Sequence, residues 1–244
     1  MQTASTSSLE KALASGQPVI TAEITPPVGG DPSHALEMAE GLRGQVQAFN
    51  VTDGSRAVMG MSSLALCRLL LERGLEPILQ LGCRDRNRIA LQADLLGAHA
   101  LGIRNVLCLT GDPVKAGNQP EARAVFDLES VRLLRQVQQL NGGIGPGGKP
   151  LADGAPALFP GAAADPQSAS WTGLKSRTRR KAEAGARFVQ TQMVMDAAAL
   201  RRFCSEIAAP LNVPVLAGVF LLKSAKNCIY QSRCSRCSDP AAAH

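Results

Sequence analysis

Aromatic residues are scarce: they form 3% of the 244-residue chain, with one Trp, one Tyr and six Phe. A core must therefore be filled by Ala, Leu and Val, which suits a layered or barrel interior of small branched side chains. Long apolar runs are missing as well. None approaches the roughly 20 residues that span a bilayer, so no membrane role is expected. Met1 to Ser15 is polar and has no apolar h-region, which disfavours a secretory signal. The seven cysteines, an odd number, are then expected as thiols in a reducing cytoplasm. No G-x-G-x-x-G follows the first expected strand, which weighs against a Rossmann fold.

What is present begins with positive charge: the net value is +6 and the pI about 9.1. Part lies at Arg177, Arg179, Arg180 and Lys181, and part at Lys223, Lys226, Arg233 and Arg236. No aromatics interleave with these groups to stack bases, so nucleic acid is not the expected partner. An anionic cofactor or substrate accounts for local basic residues equally well.

Short apolar runs alternate with longer amphipathic stretches. Strands are expected at 18–23, 46–51, 77–81, 105–109, 157–162, 188–192 and 213–219. Helices are expected at 33–42 (with Ser33 as N-cap), 61–73, 86–101, 128–140, 174–184 and 196–209. Gly74, Gly102 and Gly185 follow three of those helices, where a C′ glycine belongs. Asn141 to Pro156 is rich in Gly and Pro and reads as a loop. Strand–helix units in this order predict a parallel sheet with crossover helices. The expected fold is an α/β (β/α)8 TIM barrel, incomplete at its C-terminus, with about seven strands present and the eighth missing. The barrel domain is assigned to residues 1–227. Residues 228–244 have no helical or strand period and read as an irregular, possibly disordered tail.

Barrel chemistry sits at the C-terminal ends of the strands. The polar residues there are Glu23, Thr52-Asp53-Gly54, Gln80, Thr110-Gly111-Asp112 and Thr191-Gln192. Each has a structural alternative. A carboxylate at a strand end often caps the next helix, although Pro26-Pro27 leaves Glu23 nothing to cap. Asp112 before Pro113 is also a turn residue type. Gln192, amid Val189, Met193 and Val194, is either a satisfied buried amide or a substrate contact. Arg179-Arg180-Lys181 is either a solvated helix face or a set of phosphate contacts. Cys83 and Cys108 read as small buried hydrophobes, with no His near them in sequence. His34 and His99 read as structural or exposed. Cys234-Ser-Arg-Cys237 is a C-x-x-C pair whose surroundings match no standard zinc site, and no metal is expected.

Eight stretches in order carry a family resemblance. They are Thr21-Ala-Glu-Ile-Thr-Pro-Pro27, Asn50-Val-Thr-Asp-Gly54, Cys83-Arg-Asp-Arg-Asn-Arg88, Leu107-Cys-Leu-Thr-Gly-Asp-Pro113, Val125-Phe-Asp-Leu-Glu129, Arg180-Lys-Ala-Glu-Ala-Gly-Ala186, Phe188-Val-Gln-Thr-Gln192 and Pro214-Val-Leu-Ala-Gly-Val-Phe220. Across residues 15–227 the chain resembles the methylenetetrahydrofolate reductase family. That resemblance implies an FAD enzyme of one-carbon metabolism and methionine biosynthesis. It would reduce 5,10-methylenetetrahydrofolate to 5-methyltetrahydrofolate, with NADH or NADPH as electron donor. Glu23 matches the family's general acid, which should have a raised pKa through burial. Asp112 matches the aspartate beside pterin and flavin, and Gln192 the glutamine that contacts folate. The implied cofactor contacts are Thr52, Asp53, Gln80, Thr110, Gly111, Asp112, Phe126, Asp127, Phe159, Arg180 and Lys181.

Two departures from the family pattern stand out. Leu174 falls where an acidic flavin ligand is common. The family also continues past the seventh strand with a further helix, strand and closing helix, where this chain has a Cys- and Ser-rich tail consistent with a frameshift. A barrel with unpaired first and seventh strands carries an edge liability, which implies a poorly stable or inactive chain and makes a homo-oligomer plausible. The competing expectation is a non-catalytic barrel that binds folate or a partner protein.

Overall fold

The computed structural model describes residues 6–221. Seven strands form one all-parallel sheet in the order β1 to β7: Thr21–Ile24, Ala48–Val51, Pro77–Gly82, Asn105–Leu109, Phe159–Ala164, Phe188–Met193 and Val215–Gly218. Each strand pairs with its sequence neighbour, and the sheet curls into a nearly closed barrel with helices outside. The outer edges of β1 and β7 carry no ladder partner among the described residues.

The helices are α1 (Ser8–Ala14), α2 (Ser33–Glu40), α3 (Ser63–Glu72), α4 (Arg88–Ala100), α5 (Ser130–Asn141), α6 (Trp171–Glu183) and α7 (Ala197–Phe203). Side chains start several of them. Asn87 accepts from the Ala90 N–H at 3.0 Å, Ser170 from Gly173 at 3.1 Å and Asp196 from Ala198 at 2.7 Å. The stops expected at Gly74, Gly102 and Gly185 are observed, with φ of 67°, 91° and 104°. Ser33 is not the cap of α2. Pro32 occupies that position, and the Ser33 hydroxyl donates instead to Asp31 at 2.6 Å. The helix expected over 196–209 is split. After α7 come a π turn at Cys204–Ala208 and a 3-10 turn at Ala209–Leu211, where Pro210 supplies no N–H to the ladder.

Strand alternation sends one set of side chains into the lumen and the other out against the helices. The lumen holds Ala48, Ile78, Leu107, Phe159, Phe188 and Leu216, with Leu9 of α1 packed among them. The Phe159 and Phe188 rings stack with centroids 5.4 Å apart. α1, unforeseen in the polar N-terminal segment, closes the end of the barrel where the strands begin. Ser7 caps it and also donates to Asn105 Oδ1 of β4 at 2.6 Å, and Leu9 is fully buried. Burying one such leucine contributes about 1.5–3 kcal/mol. Outside the sheet, α2 and α3 cover β1 to β3, α4 and α5 cover β3 to β5, and α6 and α7 cover β6 and β7.

Cys67, Cys83 and Cys108 are buried in these outer layers, as expected of small hydrophobes. Burial pushes the Cys83 thiol up to about 12. No helix among the described residues is long and apolar enough to cross a membrane. The tail expected over 228–244, with Cys234 and Cys237, lies outside the described residues.

Candidate active site

Because all seven strands are parallel, their C-terminal ends share one mouth, and Glu23, Thr52, Gln80, Asp112 and Gln192 are carried there. Glu23 pairs in register with Asn50 of β2. Its carboxyl is open to the mouth yet walled by protein on most sides, and this burial raises its pKa above the usual carboxylate value. Thr52 is 3% exposed, and its hydroxyl oxygen has no hydrogen-bond partner. Gln80 is buried on the lumen side of β3, on the same side as Ile78.

One layer deeper, Asn50 Nδ2 donates across the lumen to Gln190 Oε1, while Asn50 Oδ1 remains without a partner. Neither amide was singled out from the sequence. Both were detectable by counting two residues back from Thr52 and Gln192, since alternate residues share a strand face. Gln192 is exposed at the rim, which sets aside the satisfied buried amide of its two sequence readings. A register shift between Gln190 and Met193 lets β6 bulge beside it.

The rim is built from loops held in unusual backbone. Gly54, Arg56 and Ala57 all have φ between 52° and 56°. The Arg56 N–H donates to Asp112 Oδ2 at 2.8 Å, which ties the loop after β4 to the loop after β2. Gly111 has φ of 96°, and a Cβ there would come within 3.0 Å of the Arg84 Cβ. Phe126 has φ of 42°, and the residue is 39% exposed. Left-handed backbone at a non-glycine residue costs about 1–3 kcal/mol and concentrates at functional sites.

Several residues expected to touch a cofactor are engaged elsewhere. The Asp53 carboxylate accepts from the Gly82 N–H at 2.9 Å and Ser63 at 3.2 Å, and pairs with Arg86 at 2.7 Å. Asp127 accepts from the Arg88 backbone and side chain, which holds its carboxyl down at about 2. Thr110 accepts from the Ser130 N–H at the start of α5. Lys181 donates to the Ala163 carbonyl at 2.7 Å, and burial lowers its pKa. Arg180 is exposed on the outer helix layer. Phe159 is the first residue of β5, paired with Asn105, at the end of the barrel opposite the mouth. These last two are not brought to the mouth. Leu174, where an acidic flavin ligand was missed, is a core residue packed with Val189, Phe203 and Ile207. No group of three or more metal-ligating side chains occurs among the described residues.

A family model described as methylenetetrahydrofolate reductase matches residues 8–243. A Caenorhabditis elegans protein named probable methylenetetrahydrofolate reductase (NADPH) is 26% identical over 149 residues, which is 60% of this chain and 20% of that protein. The chain therefore aligns with about a fifth of that relative's length. Among solved structures, a crystal structure of 2,3-dimethylmalate lyase has a TM-score of 0.55 at 14% identity, covering 94% of this chain and 82% of that one. A crystal structure of oxaloacetate acetylhydrolase has a TM-score of 0.51 at 11% identity, covering 96% and 87%. At such identities these two structures share the fold alone.

Proposed function

The chain belongs to the methylenetetrahydrofolate reductase family, and on that footing we propose that its mouth binds FAD and reduces 5,10-methylenetetrahydrofolate to 5-methyltetrahydrofolate for methionine synthesis. A reduced nicotinamide cofactor serves as donor, NADPH being the one named for the nematode relative. The observation that carries the proposal is Glu23: an acid open to the mouth, with its pKa raised by burial.

The residues at the mouth fit the ring end of a flavin. Thr52 has an unpartnered hydroxyl there, Gln80 a buried amide, and Phe126 a ring on strained backbone. These three would hold the ring system, and FAD bound there supplies a hydride donor. Glu23 keeps its proton closer to neutral pH than an ordinary glutamate and gives it to N10 of the folate, opening the five-membered ring. The Asp112 carboxylate, held by the Arg56 N–H, orients the pterin and offsets the positive charge that develops on the substrate. Gln192 at the rim supplies a further amide to the folate.

The test is the visible spectrum of the purified protein with added FAD, followed by methylenetetrahydrofolate turnover with NADPH or NADH. A yellow protein that turns over, and a Glu23→Gln variant that stays yellow and does not, supports the proposal. A colourless protein that still binds folate supports the non-catalytic barrel instead, a reading favoured by the burial of Leu174.

A further inference from the structure

Arg84 directly follows β3 and its adjoining Cys83, and among the described residues it is the one buried arginine. A buried guanidinium is costly unless its donors are matched. Those of Arg84 are spread over its surroundings. Nε and Nη2 grip Asp85 at 2.8 and 2.7 Å, and Nη1 donates to the Gly54 carbonyl at 3.1 Å. Gly54 can approach so closely only because it lacks a Cβ, which would lie 2.5 Å from Nη2. The Arg84 Cβ fills the space beside Gly111, and the Arg84 carbonyl accepts from the Val125 N–H at 2.7 Å. One residue therefore touches the loop after β2, the start of the loop after β4 and the later stretch of that same loop leading to Phe126. The Asp85 carboxylate balances its charge from the solvent side, 54% exposed.

We propose that Arg84 is a positioning residue: its guanidinium, Cβ and carbonyl clamp the loop after β2, which bears Thr52, to the two segments of the loop after β4 that bear Asp112 and Phe126, and thereby fix where the Asp112 carboxylate stands. The effect passes through two short links. Gly54 lies two residues from Arg56, whose N–H holds Asp112, and Gly111 directly precedes Asp112. Without the clamp, the loops after β2 and β4 rely on the Arg56–Asp112 and Met59–Asn118 bonds, and the Arg56–Asp112 bond loses its geometry. The catalytic consequence rests on the function proposed above; the loop-clamping consequence does not.

The experiment uses the full chain and compares Arg84→Met and Arg84→Lys with the parent by hydrogen exchange and by kinetics. Lysine keeps the charge but reaches one partner in place of two. In Arg84→Met, amide exchange should quicken in residues 54–59, 110–116 and 124–127 while the amides of β3 and β4 keep their protection. The methylenetetrahydrofolate KM should rise and kcat/KM fall by about 10- to 100-fold, as expected for displacement of a substrate-orienting group by about an ångström. Arg84→Lys should fall between the two. Unchanged exchange in all three segments, or exchange that quickens equally in the strands, overturns the proposal. If the parent itself does not turn over, the reductase reading fails while the exchange result still decides the clamp. If the methionine variant does not fold, the lysine variant carries the same comparison.

Discussion

Asn50 and Gln190 meet across the lumen, joining β2 to β6 by a bond outside any ladder. In Gln190→Leu the buried Asn50 amide keeps neither an acceptor for its N–H nor a donor for its Oδ1. A buried amide left unmatched costs about 1–3 kcal/mol. Urea unfolding should show a lower midpoint at an unchanged slope. Equal midpoints would show that the bridge contributes nothing.

Glu23→Gln should lower turnover by about 10²–10⁴-fold without releasing flavin, because the amide has no proton to give. It also has a pH signature. Burial raises the folded-state pKa above 4.5, so the folded chain holds the proton more tightly than the unfolded chain. The stability this adds is complete below 4.5 and is lost as pH rises through the folded value. The variant and parent should therefore differ in Tm above that value by more than they do below 4.5, with the variant gaining. A constant difference across the range would contradict the burial of this carboxyl.

Asp53 is predicted to act through stability. Its carboxylate is partnered by Arg86, Ser63 and the Gly82 N–H, and its side chain is 10% exposed. Asp53→Ala should cost about 1–3 kcal/mol by leaving the Gly82 N–H unmatched and Arg86 with Asp94, 2.8 Å away, as its remaining carboxylate, while the flavin Kd of the folded fraction stays near that of the parent. A weakened flavin Kd at full stability would return Asp53 to the cofactor.

His99 makes the fold sensitive to mild acid. Burial, with Arg104 nearby, lowers its pKa, and its Nδ1 accepts from the Ala157 N–H at 3.1 Å. The unfolded chain thus takes up the proton first. The His99 contribution is fully present above 6.5 and declines as pH falls through the folded value. In His99→Gln the fall of Tm below 6.5 should be shallower than in the parent.

Much of the fold was legible in the sequence because buried parallel strands read as short apolar runs between capped helices. All seven strands overlap those runs, several of them starting two or three residues later than expected. β5 was expected at 157–162 and lies at Phe159–Ala164. The reason is local: His99 takes the Ala157 N–H, and Asn141 bonds both the N–H and the carbonyl of Leu158, so the ladder starts only at Phe159. That shift of two residues is what leaves Phe159 at the strand's beginning. α1 was missed because its seven residues, Ser8-Leu-Glu-Lys-Ala-Leu-Ala14, make under two turns, too short a stretch to establish a helical period. Glu23 and Asp112 were legible through strand ends and family pattern. The Arg84 contacts and the Asn50–Gln190 bridge were not, because they join segments up to 140 residues apart.

The docking of α1 makes the beginning of the chain a stopper. Ser15, Gly16 and Gln17, which link it to β1, are exposed. A protease nick there would leave Leu9 held beside Phe159 and Phe188 by packing and by the Ser7–Asn105 and Arg187–Glu10 bonds, without a covalent tie to β1. Loss of α1 would open the lumen to water at the end where the strands begin.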